Sequence, residues 1–280
     1  MSVDIDNNSQ SIDDFKLEKL RELIISELEE CPQKYDQRDL KVIKEAKDCF
    51  PCELFLESSN WSVDCALEAM VRHSRWRKEN GVLDLKATDL PREAHQMRLF
   101  NPFGKDKNGH PTFFIQLSVP PGPKEFHPTV IRHFLWSCEN VRSEVLRTGR
   151  KVSVIFDCRS AAVDIGVLRQ VLDIFTTKYP PTAEYLAFLD MNFAFRMVLQ
   201  IIKYFFPKYM WKRMIFINQD QLREMIDESA IPAFLGGKSM GLSKDILAKC
   251  PSLEEYGRKN GLSEKTITKL KGYFESRLTD

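Results

Sequence analysis

The N-terminal third of the chain carries apolar residues at the spacing of helices. Between residues 15 and 30 they fall on one helical face: Leu17, Leu20, Ile24 and Leu28. Further along, Ser62 is placed as an N-cap and Gly81 as a C′ glycine of another helix. We therefore expect a helical bundle at residues 13–90. The polar, acidic residues 1–12 before it are expected to be a disordered tail.

From residue 91 the pattern changes to short apolar strands that alternate with amphipathic helices. Alternating apolar residues predict a strand at 113–119, and a β-branched run predicts another at 152–156. The runs at 185–189 and 214–217 are continuously apolar, as in buried parallel strands. The fold class is therefore α/β, with the N-terminal bundle followed by a mostly parallel sheet with crossover helices. A charged, helical extension is expected at residues 241–280.

One segment, residues 193–206 (FAFRMVLQIIKYFF), is a far more apolar helix than the others. Its polar residues form a narrow stripe at Arg196, Gln200 and Lys203. Such a helix is usually core, but it can also line an apolar pocket on one side and face membrane or solvent on the other. Basic and aromatic residues typical of a lipid headgroup interface follow it: Lys208, Trp211, Lys212 and Arg213.

The overall composition is that of a folded cytosolic protein. The net charge of +1 gives no general attraction to nucleic acid or acidic lipid, so membrane contact has to come from local patches. The N-terminus lacks the pattern of a signal peptide, and no stretch of about 20 uncharged residues is present to span a membrane. The seven scattered cysteines suit reduced thiols. We expect a cytoplasmic protein that is transiently membrane-associated.

Catalytic motifs are sparse in the sequence. It has no glycine-rich phosphate loop, no GxSxG elbow and no histidine pair at metal spacing. Cys49 and Cys52 form a CxxC pair inside the helical bundle, where helix packing is favoured over redox or metal chemistry. Asp157 and Asp190 end predicted strands, either as ligand-binding groups or as loop caps. A hydrolase would have only these two carboxylates and His133 to support it. We therefore expect no enzyme, no cofactor and no metal.

Several local segments, in order and spacing, resemble the CRAL-TRIO lipid-binding family. They are WRKE at 76–79, DKNGHP at 106–111, KYP at 178–180, LDMN at 189–192 and IPAFLGG at 231–237. The resemblance spans roughly residues 40–240 and implies a CRAL-TRIO-like lipid-binding domain at 91–240. It implies an apolar pocket floored by the parallel sheet and closed by the 193–206 segment, a gate helix that swings to admit a lipid at a membrane.

Departures from the family pattern bear on the lipid. Phosphatidylinositol-binding members carry a glutamate just after the Tyr-Pro pair, where this chain has Pro181, which removes an acceptor. Met210 stands at their threonine and Arg213 at their lysine. The proline of their "N-x-P" segment is replaced by Phe193. The resemblance therefore does not imply a phosphoinositide headgroup site.

The resemblance implies a protein that binds one hydrophobic lipid internally and transfers or presents it at membranes. The predicted pocket residues are Phe114, Ile155, Phe156, Phe188, Phe195, Val198, Leu199 and Ile202. Strand alternation leaves open whether Phe113 or Phe114 faces the pocket. The predicted gate or membrane contacts are Arg196, Lys203, Lys208, Trp211, Lys212 and Arg213.

An alternative is an adaptor, in which bulky side chains fill the pocket and the surface binds a protein partner. The 19 phenylalanines supply enough bulk for this. A structure without an apolar cavity of about 300 Å³ or more would favour the adaptor. The C-terminal extension is the candidate surface for such a partner.

Overall fold

A computed structural model describes residues 3–46, 49–160, 164–202 and 208–278, which belong to two compact units. The first unit combines the chain up to Leu83 with a later segment, Ile174–Thr182. The second combines Asp84–Asp173 with Ala183–Asp280. Among the described residues, no helix has the length and apolar character needed to cross a membrane.

The first unit is a helical bundle, as the apolar spacing predicts. Its helices are α1 (Val3–Glu30), α2 (Gln37–Glu45), α3 (Phe50–Ser58) and α4 (Val63–Glu79). Leu20, Ile24 and Leu28 of α1 are fully buried in its core. The Ser62 side chain caps α4 by accepting the Cys65 N–H, as expected. The tail predicted to be disordered is helical from Val3 in the structure, because an established helix gains one hydrogen bond for each residue it adds.

The second unit contains, in the described residues, a five-stranded sheet in the order β1-β2-β3-β4-β5. The strands are β1 (Phe100–Asn101), β2 (Thr112–Gln116), β3 (Val152–Asp157), β4 (Ala183–Leu189) and β5 (Met214–Ile217). Strand β1 pairs antiparallel with β2, and the other neighbours are parallel. This arrangement confirms the predicted mostly parallel sheet and adds a short edge strand that no sequence pattern indicated.

Helices surround this sheet and continue after it. They are α5 (Arg92–Gln96), α6 (His127–Thr148), α7 (Ile165–Asp173), α8 (Phe193–Ile202), α9 (Lys208–Trp211) and α10 (Gln219–Met225). The C-terminal extension forms α11 (Lys244–Leu247), α12 (Leu253–Lys259) and α13 (Glu264–Glu275). It packs onto the second unit, since Phe274 contacts the ring of Phe126 and the Tyr273 hydroxyl donates to the Pro120 carbonyl.

The boundary between the units differs from the predicted one at residue 90. Ala87 and Leu90 are buried with Trp136 in the second unit, so residues 84–90 do not belong to the bundle. Helix α7 runs on into a π-helical turn, Ile174–Lys178, that belongs to the first unit. There Nδ1 of His73 lies 2.5 Å from the Lys178 carbonyl oxygen. A contact so distant in sequence leaves no local signal.

The strand register divides the sheet's side chains between two faces. One row across β2, β3 and β4 is Phe114, Ile155 and Ala187, and we call this side the packed face. The next row, on the opposite side, is Ile115, Phe156 and Phe188, continued by Phe216 on β5; we call it the cavity face. The packed face is covered by Leu222 of α10, by Ile226 just after that helix, and by Ile231 and Leu235.

Candidate functional site

An apolar cavity of about 60 Å³ lies on the cavity face, between the sheet and α7. Its α7 wall consists of Val167, Leu168, Val171 and Leu172, whose spacing places them on one side of the helix. Ile115 and Phe156 supply the floor from β2 and β3. The segment after β2 closes a third side with Leu117, Val119 and Pro121. The site is a small, almost wholly apolar space within the second unit.

A stack of phenylalanines continues from the cavity along the same face. Phe156 lies nearly parallel to Phe188, with ring centroids 4.9 Å apart. The Phe188 ring also packs against Phe216 and against Phe195 of α8, with ring centroids 5.7 and 6.5 Å apart. Phe195 is fully buried, so this contact holds α8 against the sheet. Aromatic pairs in such offset or tilted arrangements add to the energy of burial.

Helix α8 is apolar on its outer side as well as its inner side. Phe195 and Leu199 are buried, whereas Phe193 is 79% exposed and Met197 57% exposed. The start of α8 is fixed by Asn192, whose side chain accepts the Phe195 N–H and donates to the Arg159 carbonyl. The helix is thus fixed at its N-terminus by hydrogen bonds and contacts the sheet through Phe195.

The predicted pocket residues are divided by the sheet. Phe156, Phe188, Phe195 and Leu199 come together on the cavity side. Phe114 and Ile155 lie on the packed face, where α10 and the segment that contains Ile231 and Leu235 bury them. The structure therefore does not bring these two to the cavity, because neighbouring strand residues point to opposite faces.

The remaining pocket predictions concern the first strand and the gate helix. Phe113, the alternative to Phe114, lies on the cavity side and stacks on Phe134 of α6 at 6.2 Å. Val198 and Ile202 lie in α8, but their side chains are outside the described part of the structure.

The predicted gate or membrane contacts also divide. Arg196 is exposed on α8, and Trp211 and Lys212 are exposed after it. Arg213 is half-buried and its guanidinium donates to the Ala183 carbonyl, so it supports the start of β4. Lys203 lies outside the described residues. For Lys208 the backbone position in α9 is described and the side chain is not.

Sequence reasoning missed two parts of the site. Leu168 and Val171 are spaced as an inner helical face, but only the sheet register assigns that face to a cavity. Phe216 lies on edge strand β5 and is 56% exposed despite its contact with Phe188. Its position inside a continuous apolar run concealed this exposure.

Asp157 and Asp190 both serve the local backbone and loops. The Asp157 carboxylate accepts from Ser118 Oγ at 2.7 Å and from Arg159 Nε at 2.8 Å. The hydrogen bond to Asp157 raises the pKa of Arg159. Asp190 has a left-handed backbone (φ 46°), and its N–H donates to the Ile217 carbonyl. The side-chain contacts of Asp157 correspond to the loop-capping interpretation, whereas those given for Asp190 are made by its backbone.

His133 lies in an aromatic cluster on α6. Its ring stacks on Trp136 and meets His95 edge-on at 4.9 Å. Complete burial lowers the pKa of His133 well below its usual value, and burial also lowers the pKa of His95. Both imidazoles are therefore neutral near pH 7 and act as packing groups.

The CxxC pair lies at the start of α3. The Cys49 thiol donates to Glu18 Oε1 at 3.3 Å, and burial raises its pKa. Burial raises the pKa of Cys52 to about 12. Raised thiol pKa values disfavour the reactive thiolate, so the pair is a packing feature. Throughout the described residues, no group of three potential ligands is placed to hold a metal ion.

The chain thus combines a helical first unit with a second unit that contains a mostly parallel sheet and an apolar cavity. The CRAL/TRIO domain family matches residues 95–237, about half of the chain, and the chain belongs to this family. Proteins of the family bind and transfer hydrophobic lipids and are not enzymes in general.

Among solved structures, the crystal structure of Sfh5 is similar in fold. Its TM-score is 0.60 at 13% sequence identity, with 91% of this chain and 97% of that chain covered. At this identity the likeness concerns the fold alone.

Proposed function

We propose that this protein binds a single hydrophobic lipid on the cavity face and transfers or presents it at a membrane. The observation that carries the proposal is a continuous apolar path. It runs from the cavity through Phe156, Phe188 and Phe195 to the exposed Phe193 on the outside of α8. A lipid carrier needs both an internal site and a surface that meets the bilayer, and this path joins the two.

The cavity volume requires α8 or α7 to move for a lipid to enter. The cavity measures about 60 Å³, whereas ligand pockets measure roughly 300–1,000 Å³. Moving α8 outward exposes Phe195 and Leu199, at a cost of about 1.5–3 kcal/mol for each side chain. Contact of the same helix with acyl chains offsets this cost, so opening is favoured at a membrane.

The outer side of α8 and the segment after it have the composition of a membrane-contact surface. Phe193, Met197 and Trp211 are exposed there together with Arg196 and Lys212. Apolar and aromatic side chains mixed with basic ones bind the boundary between headgroups and acyl chains. Lys203 and Lys208 stay predicted members of this surface. We expect the protein to be cytoplasmic and only transiently bound to membranes.

The adaptor is the second candidate function, and the cavity volume favours it. The apolar cavity lies far below the size of a ligand pocket, with Phe156 and Phe188 occupying the adjoining space. Under this alternative the cavity face is simply core, and a protein partner binds outside it, for example at the C-terminal extension.

Within the family, we propose a relationship to the CRAL-TRIO part of motile sperm domain-containing protein 2. Residues 34–39 (KYDQRD) and the Asp190–Met191 pair resemble that protein. In the first unit, buried Asp39 pairs with Arg77 of the WRKE segment, so these two sequence features form one contact.

The test is lipid extraction and lipid pick-up by the purified full chain. We expect about one lipid per protein by mass spectrometry after purification or after incubation with liposomes. Leu168→Trp fills the cavity from α7 and is expected to abolish the bound lipid. Met225→Trp adds the same bulk against the packed face and is expected to retain it, with both variants checked for folding by circular dichroism. No lipid from the native chain under either condition would leave the adaptor as the explanation.

A further inference from the structure

A second pocket, of about 520 Å³, adjoins the apolar cavity at the end of β2. The two share Gln116 and Val119 as lining residues, so they lie on either side of one short segment. The second pocket is open and contains polar groups, in contrast to the cavity. Its walls include Ser118 and Phe234.

The charged residues that line this second pocket are all positive. Among its described lining residues, Arg98 and Arg277 are charged and none is acidic. Arg98, half-buried, makes no ion pair with any residue in the described ranges. Arg277 stacks over the Tyr273 ring at 4.1 Å and donates to Ser276 Oγ at 2.8 Å, with no carboxylate partner in the same ranges. We call this site the arginine pocket.

Arg98 is half-buried, whereas Arg277 is exposed and oriented by contacts within its own helix end. Arg98 lies in the short connection between α5 and β1 and has a left-handed backbone (φ 54°). Arg277 follows α13, whose Tyr273 hydroxyl donates to the carbonyl of Pro120, another residue lining the pocket. The C-terminal extension thus forms one wall of the pocket. The residues before β1 and those at and after the end of β2 form another.

Two guanidinium groups without carboxylates are suited to an oxyanion. The planar fork of arginine binds phosphate or carboxylate oxygens through two parallel hydrogen bonds. Two like charges that share a pocket repel each other, and a bound anion relieves this repulsion. The adjoining cavity offers an apolar surface to whatever is attached to that anion.

We propose that the arginine pocket binds the oxyanion headgroup of an amphiphile whose apolar chain enters the cavity. This inference rests on the proposed lipid-binding function and deepens it by naming the ligand class. The site uses none of positions 181, 210 and 213, so it does not depend on the phosphoinositide pattern that this chain lacks.

The experiment compares lipids that have the same acyl chains and differ in their headgroups. The full chain is incubated with vesicles that carry labelled phosphatidic acid, phosphatidylcholine or diacylglycerol, and bound lipid is measured. We expect phosphatidic acid to be preferred, and Arg98→Gly or Arg277→Gln to reduce its binding at least about tenfold, as loss of a charge-assisted contact does. Diacylglycerol binding should be unchanged in both variants.

Two controls separate binding from folding. Because a positive φ favours glycine, Arg98→Gly is expected to keep or raise the melting temperature, so a loss of binding is not unfolding. Arg132→Gln removes an exposed arginine of α6 that lines neither pocket, and it should leave lipid preference intact.

Each further outcome has a distinct meaning. Diacylglycerol that binds as well as phosphatidic acid, with no effect of either variant, overturns the headgroup site and leaves the lipid-binding function standing. Failure of all three lipids overturns both proposals. Inorganic phosphate that binds the native chain but not Arg98→Gly, without displacing phosphatidic acid, assigns the pocket to a free anion and also overturns the headgroup site.

Discussion

The two faces of the sheet are built from similar residues and packed in different ways. On the packed face Phe114, Ile155 and Ala187 are fully buried beneath α10 and the segment that contains Ile231. On the cavity face the neighbouring residues of β2 and β3, Ile115 and Phe156, line unfilled space. Since proteins pack their interiors densely, the loose side is the one that can rearrange.

A buried polar network further fixes the packed face. The Asp106 carboxylate accepts from Ser153 Oγ at 2.7 Å, from the Tyr185 hydroxyl at 3.1 Å and from the N–H groups of Asn108 and His110. Burial raises the pKa of Tyr185 and keeps its proton available for this bond. Fully satisfied buried networks define one structure. We therefore expect the packed face to contribute more to stability, and the cavity face to be the side that rearranges under the proposed function.

Gly237→Ala is expected to give the largest loss of stability, because Gly237 packs against the Ile231 segment that covers the packed face. A Cβ at Gly237 would overlap the carbonyl group of Ile231, which is backbone and has no alternative rotamer. We expect a loss of about 4 kcal/mol or more in the free energy of unfolding, or no soluble protein. Urea denaturation measures it. Gly272→Ala in α13, where no atom lies within 4 Å of a new Cβ, should instead be stabilising by about 0.5–1 kcal/mol.

Enlarging a side chain should lower the free energy of unfolding on the packed face and raise it on the cavity face. Ala187→Val adds two methyl groups to the packed face and is expected to cost about 1–3 kcal/mol. Val171→Ile adds one methylene toward the cavity and is expected to stabilise by up to about 0.8 kcal/mol. Paired denaturation curves test this. Equal losses in the two variants would mean that the faces are packed alike.

Acid should weaken the second unit through its buried histidines. Burial lowers the folded-state pKa of His133 and His95, whereas an unfolded histidine titrates near about 6.5. Below that pH the unfolded chain takes up protons that the folded chain does not, so stability is complete above pH 6.5 and falls as the pH drops. We expect a lower urea midpoint at pH 5.5 than at pH 7.5.

His133→Phe keeps a ring in the cluster and should reduce this pH dependence. A pH dependence that is the same in His133→Phe as in the native chain would assign the titration to other groups.

The fold could largely be predicted because its elements are encoded by local patterns. Apolar runs and a β-branched strand indicate the parallel sheet, and Ser62 marks the start of α4. Strand β1 has two residues, too few for a period, and the segment Ile174–Thr182 joins the first unit through contacts with distant residues.

The site was less predictable, for two physical reasons. Strands buried on both faces have no polar alternation, so the sequence does not tell Phe113 from Phe114, and the register alone resolves them. Arg98 and Arg277 lie far apart in the chain, in no shared motif. They line one pocket because Tyr273 of α13 bonds to Pro120 in the segment after β2.

Phe193→Asp should have the smallest effect on folding and still distinguish the two faces in function. Phe193 is 79% exposed, so the change should alter the free energy of unfolding by no more than about 0.5 kcal/mol. Vesicle binding should fall severalfold, because a charge replaces the apolar group nearest the bilayer in the proposed contact.

Met240→Asp is the matched control for this change. Met240 is 62% exposed, but it lies outside α8 and the segment that follows it, so vesicle binding should be retained. A destabilisation by Phe193→Asp as large as that of Ala187→Val would show that Phe193 packs in the fold and is not a contact surface. Unchanged vesicle binding in both variants would remove the outer side of α8 from the proposed route. A large exposed phenylalanine adds little to folding, so a selective loss of vesicle binding would place its role in contact with the bilayer.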